Sequence, residues 1–111
     1  MPDTIDQNTF AELQDAAGAE FVSELVDTFL EEAPGMLAEL RSAMQADQAD
    51  KFRRAAHSLK SNCQTFGAKR LGTMARDLEA NGVSSGAGAL DALEAHYDEV
   101  ATDLKELSRG G

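Results

Sequence analysis

The chain has no tryptophan, one tyrosine, one cysteine and two prolines in 111 residues. Aromatics at 5% leave Leu, Ala, Met and Val to fill the interior, a mix that favours helix over sheet. The lone Cys63 excludes an internal disulfide, and no zinc or redox motif accompanies it; it falls in an apolar helical row, as a small core residue does. No uninterrupted apolar run approaches the roughly 20 residues of a membrane span, and the start, Met1 to Asn8, lacks a basic region followed by an apolar stretch. The chain is therefore expected in the cytoplasm. Cations are scarce, 10 Lys and Arg against 20 Asp and Glu, and a net charge of -10 argues against nucleic-acid binding, which rests on Lys and Arg. A Gly-rich phosphate loop and a nucleotide-binding strand–turn–helix are missing, as is a carboxylate pair at metal-ligand spacing beside a histidine, so neither an ATP site nor a metal site is expected.

What is present is one domain's worth of helix. A chain of this size builds a single modest core, burying about two thirds of the surface its unfolded form exposes. Thr9 to Gly18 reads as a short accessory helix, with Thr9 as N-cap, Glu12 in capping-box position and Gly18 as the stop. Phe21, Val22, Leu25, Val26, Phe29, Ala33, Met36, Leu37, Leu40 and Met44 recur at helical spacing. Pro34-Gly35 interrupts them, and an interior proline removes one donor and crowds the preceding turn; the apolar phase survives it, which favours one long bent helix over about 19–46, with two separate helices as the alternative.

Asp47 to Asp50 supplies an acidic cap to a third helix, about 48–66, whose Phe52, Ala55, Ala56, Leu59, Cys63 and Phe66 form one apolar stripe closed by Gly67. A helix over about 68–80 carries Leu71, Met74, Ala75 and Leu78, and Ser84 to Gly88 reads as a flexible connection. The last helix, about 87–107, shows a seam of Leu90, Leu93, Tyr97, Val100, Leu104 and Leu107, with a disordered tail over 108–111. The sum is an all-α fold: an antiparallel four-helix bundle with a short N-terminal accessory helix, filling 1–111 as a single domain; it is expected to be free-standing rather than cut from a larger hybrid kinase, and a monomer.

The charge is not evenly spread. From Lys51 to Arg76 there are seven cations (Lys51, Arg53, Arg54, Lys60, Lys69, Arg70, Arg76) and no carboxylate; the other three cations and all twenty carboxylates give the remainder -17. A basic island in an acidic domain draws an acidic partner or a phosphate to one place. On the third helix, His57 falls opposite the apolar stripe, and Arg53, Arg54, Lys60, Ser61 and Gln64 all lie within about 60° of it at about 100° per residue. An exposed imidazole with cations a turn away on both sides suits phosphoryl chemistry: the ring is a competent nucleophile, and the cations offset charge on the transferring group. Mg²⁺ and an acidic acceptor would then come from a partner. His96, flanked by Glu94, Asp98 and Glu99, reads instead as a boundary or surface residue.

The run Ala56-His57-Ser58-Leu59-Lys60-Ser61-Asn62-Cys63-Gln64-Thr65-Phe66-Gly67, followed by Leu71 and Leu78-Glu79, resembles the signature of histidine-containing phosphotransfer (HPt) domains of bacterial and fungal phosphorelays. Phe29 to Pro34, with Leu37 and Leu40, resembles that family's second helix, so the likeness covers nearly the whole chain. The resemblance implies that His57 is the phosphoacceptor, Lys60 the cation near the phosphoryl oxygens, Glu79 a group that orients the imidazole, and Gln64 part of a docking face. Arg53, Arg54 and Lys69 are expected on that face as well. One residue departs from the pattern: Ser61 stands where the family usually carries Gly.

The implied function is a phosphorelay carrier without its own ATP or metal site, taking a phosphoryl group from one receiver domain and passing it to another. Its implied partners are response-regulator receivers and a hybrid histidine kinase. The alternative is a non-catalytic helical module that docks on receivers or kinases. A kinase fragment fits worse, because Ser58 stands where such helices place an acidic residue and 111 residues leave no room for an ATP-binding domain.

Overall fold

The computed structural model describes residues 3–110. Five α-helices follow one another, α1 over Gln7–Ala17, α2 over Ala19–Gln45, α3 over Ala49–Phe66, α4 over Lys69–Asn81 and α5 over Ala87–Gly110, with a 3₁₀ turn at Gly82–Ser85. The last four make an antiparallel bundle in which α3 packs on α2 and α4, and α5 closes the ring against both. Helix α1 lies across α2 and α3. There is no strand among the described residues, and none of the helices is long and apolar enough to cross a membrane.

The apolar stripes meet at the centre. Phe29 of α2 stacks at a tilt on Phe66 of α3, with ring centroids 5.5 Å apart, and edge-on to Tyr97 of α5 at 6.1 Å. Phe52, Leu59, Leu71 and Leu93 are wholly buried around them, each contributing about 1.5–3 kcal/mol relative to exposure. Cys63 is buried in the same layer, and that burial pushes its thiol up to about 12. Phe21 departs from the expected α2 stripe: it is 52% exposed, and Val22, Val26, Phe29, Ala33, Leu37, Leu40 and Ala43 form the inner row instead.

Helix α2 continues without a break through Pro34, which excludes the two-helix alternative. Pro34 and Gly35 face solvent while Ala33 is buried, so the carbonyl that loses its partner to proline lies on the side where water replaces it.

The helix ends correct the expected caps. Helix α1 begins two residues before Thr9, with Asp6 in extended conformation at the cap position; Thr9 donates its hydroxyl to the Asp6 carboxylate at 2.5 Å, and Glu12 lies beyond the first turn. Asp6 wins because its N–H is fixed to the Gly67 carbonyl at 2.8 Å. Hydrogen bonds from Thr9 and Lys69 hold its carboxyl below the usual range. Helix α3 is capped by the backbone of Gln48, and Asp50 contributes only as a charge in the first turn. Gly67 closes α3 in the left-handed region (φ 82°, ψ 21°), and the Ala68 N–H reaches back to the Cys63 carbonyl at 2.9 Å, the Schellman arrangement that glycine permits. A side chain at this glycine would meet Thr9 Cβ at 2.9 Å, so the α1 arm rests directly on the α3–α4 turn.

Two further expectations change. The segment after Asn81 is a 3₁₀ turn rather than an open linker: Ser84 and Ser85 donate their hydroxyls to the carbonyls of Asn81 and Gly82, and α5 starts at Ala87. The expected tail is helical through Ser108 and Arg109, with Ser108 Oγ donating to Ser23 Oγ at 3.1 Å; Gly111 lies outside the described residues.

Candidate functional site

Because α3 and α4 are antiparallel neighbours joined by only two residues, the middle of α3 faces the end of α4. His57 stands on the outer side of α3 with its side chain 59% exposed. Glu79 reaches across from α4 and bridges two α3 residues: one carboxylate oxygen lies 2.9 Å from His57 Nδ1, and the other accepts from Lys60 Nζ at 2.7 Å. Lys60 and Glu79 are half-buried beside the exposed ring. The Lys60 ammonium, above all, holds the Glu79 carboxyl below the usual carboxylate range; the His57 contact acts in the same direction, against some desolvation.

This geometry fixes the ring. An ionised carboxylate only accepts, so a 2.9 Å contact requires the proton on Nδ1. In the neutral form of the ring the lone pair then lies on Nε2, and the side chain as a whole is exposed. The arrangement offers a nucleophilic nitrogen, an ammonium one turn away, and a carboxylate placed to offset positive charge on the ring.

The other expected residues divide between two sides of α3. Gln64 and Lys60 line a groove toward α4, together with Thr9, Lys69, Thr73 and Arg76. Arg53 also leans toward α4, its guanidinium lying over Gly82 at the end of that helix. Arg54 turns the opposite way, into a recess with Met36, Glu39 and Ser58 on the α2 side. Ser61 is exposed, and its carbonyl accepts from Thr65 Oγ1, while Asn62 bonds the Ser58 carbonyl. Lys69 is tied to Asp6 at 3.3 Å beside the α3–α4 turn, more than two helical turns along the seam from His57.

Sequence reading passed over Thr73 and placed Arg76 only in the basic island. The signal for them was present: Lys69, Thr73, Arg76 and Glu79 recur at spacings of four, three and three, one face of α4, just as His57, Lys60 and Gln64 do on α3. Two matching rows on adjacent antiparallel helices form the walls of one groove.

Among the described residues, no group of three or more His, Cys, Asp or Glu is arranged to hold a metal ion. His96 is unlike His57. It is 8% exposed, which corrects the surface reading, its Nδ1 contacts Glu99 at 3.2 Å, and its Nε2 is buried with no hydrogen-bond partner among the described residues.

No curated protein matches the chain. Among solved structures, it is similar to the crystal structure of histidine-containing phosphotransfer protein B (HptB) from Pseudomonas aeruginosa PAO1, with a TM-score of 0.86 and 26% identity over 97% of this chain and 96% of that one. A profile of the Hpt domain matches residues 24–109, a span that takes in α3 and α4 and with them His57, Lys60 and Glu79. The chain belongs to the Hpt domain family, whose role is to carry a phosphoryl group on histidine.

Proposed function

We propose that this chain is a phosphorelay intermediate in which His57 Nε2 accepts a phosphoryl group from the aspartyl phosphate of one receiver domain and hands it to the aspartate of another. The observation that carries this reading is the bridge of Glu79 between His57 Nδ1 and Lys60 Nζ. In the forward step Nε2 attacks phosphorus, the bond from phosphorus to the aspartyl oxygen breaks, and the aspartate leaves as a carboxylate. The ring keeps its Nδ1 proton throughout and becomes cationic, and the Glu79 carboxylate offsets that charge. Lys60, one turn on, is within reach of the phosphoryl oxygens and lowers the cost of their charge. Return to a second aspartate reverses the same bonds, so no proton has to be found or discarded. That suits a carrier.

Mg²⁺ belongs, in this reading, to the receiver. Glu79 has one oxygen on the ring and the other on Lys60, so its work is done on the histidine side, while the receiver brings the aspartate that exchanges. The hybrid histidine kinase enters, in this reading, through its receiver, whose aspartyl phosphate is the donor to His57.

Incubation with a ³²P-phosphorylated receiver is the direct test. Label is expected to appear on the chain as an acid-labile, base-stable phosphoramidate and to be absent from His57→Gln. Persistent labelling of that variant would sink the assignment. Binding of receivers without label on the wild type would favour a docking module instead.

A further inference from the structure

The groove between α3 and α4 runs on from Lys60 away from His57, and the chemistry proposed above uses only its near end. It encloses about 360 Å³. The floor is Cys63, Ala68 and Gly72, all buried; a side chain at Gly72 would press on Cys63 Cβ at 3.3 Å, so glycine is what lets α4 lie close to α3 here. The walls are exposed Gln64 and Thr73. The rim carries Lys60, Lys69 and Arg76, the last two with side chains 76% and 64% exposed. Lys60 belongs both to this rim and to the Glu79 bridge, which makes groove and histidine one continuous surface.

We propose that this groove seats one apolar side chain of the receiver, taken from a stretch whose flanking residues are acidic, and so fixes the partner's position over His57. The proposal rests on the receiver reading and narrows it to the chemistry that holds the partner. An apolar floor of small residues takes an apolar side chain, and three cations around it select carboxylates on either side. Charge elsewhere agrees with the choice. The chain is +7 from Lys51 to Arg76 and -17 in the remainder, and three of those seven cations, Lys60, Lys69 and Arg76, line this groove. Gln64 is two turns from His57, about 10 Å along the helix, a separation that one docked side chain bridges within a single interface.

Two donors separate docking from chemistry. Phosphoramidate, a small donor that needs no docking, reports whether His57 can react; a ³²P-labelled receiver that transfers to the wild type reports reaction plus seating. Thr73→Trp and Gln64→Trp fill the groove from opposite walls. In both, the ratio of receiver-driven to phosphoramidate-driven labelling is expected to fall about tenfold or more, the scale of losing one buried anchor. Arg76→Glu is expected to lower the same ratio and flatten its dependence on salt. If both tryptophan variants keep native helicity and a wild-type ratio, the groove does not seat the partner. Concentration-dependent self-association that Thr73→Trp removes would overturn the proposal in favour of a second copy as occupant. A wild type that takes label from neither donor would instead sink the His57 reading.

Discussion

Each of the two histidines has a glutamate at Nδ1, yet they sit in opposite kinds of surroundings. The partner of His57 comes from another helix, at 2.9 Å, is shared with Lys60, and the His57 side chain is exposed. The partner of His96 is three residues on in the same helix, at 3.2 Å, and its Nε2 is buried without a partner among the described residues. Under the proposed function, a carboxylate at Nδ1 does not by itself make a phosphoacceptor. Reactivity needs the second nitrogen to be reachable and a cation near where charge will develop.

The largest test of that contrast is a pair of variants. His57→Gln is expected to abolish phosphoryl labelling with the helical signal and melting temperature nearly unchanged, because an exposed side chain contributes little to packing. His96→Gln is expected to label at close to the wild-type rate, whatever it does to stability. Loss of label in His96→Gln at unchanged helicity would break the comparison. Next in size is Lys60→Ala, which removes charge stabilisation that matters only once the phosphoryl group is in flight; transfer is expected to slow about ten- to a hundredfold, with receiver affinity less affected. Single-turnover transfer at saturating receiver measures it, and a wild-type rate would remove Lys60 from the chemistry.

A smaller effect is expected at the buried histidine. Leaving a buried nitrogen unpaired costs about 1–3 kcal/mol, whereas a pair with an exposed glutamate is worth about 0–1 kcal/mol. His96→Leu is therefore expected to be neutral or stabilising, by about 1 kcal/mol in urea unfolding. A clear destabilisation would mean that Nε2 finds a partner in solution.

The fold was legible because each helix carries its own period. Leu90, Leu93, Tyr97, Val100 and Leu104 could only be one face of a helix, and a position opposite the α3 stripe put His57 outside before any contact was known. The caps were less legible because they are settled by tertiary contacts. Nothing local to Asp6 shows that its N–H will bond the Gly67 carbonyl, sixty-one residues away, and start α1 early. Phe21 read as core on spacing alone, but its place on α2 faces solvent. For the site, His57, Lys60 and Gln64 share a helix and their proximity follows from spacing, while the Glu79 bridge depends on the α3–α4 register. The groove depends on it too, which is why Thr73 went unnoticed and Arg76 was read only as part of the basic island although their spacing matched.

The smallest effect concerns the pH dependence of the Glu79 bridge. Its carboxyl is held below the usual carboxylate value, first by the hydrogen bond from Lys60. A carboxyl lowered in the folded state binds fewer protons there than in the unfolded chain, so its contribution is fully present above the unfolded value and is lost as pH falls through the folded one. Glu79→Gln removes that linkage while preserving shape. The wild type is expected to be the more stable of the two at neutral pH, with the difference shrinking steadily as pH drops through the carboxylate range. Asp6, lowered by Thr9 and Lys69, adds a similar slope to both proteins and cancels in the comparison. Urea midpoints of the pair measured from neutral to acid check the sign. A difference that stays constant on acidification would mean that the bridge is open in solution, and with it would go the fixed tautomer on which the contrast between His57 and His96 depends.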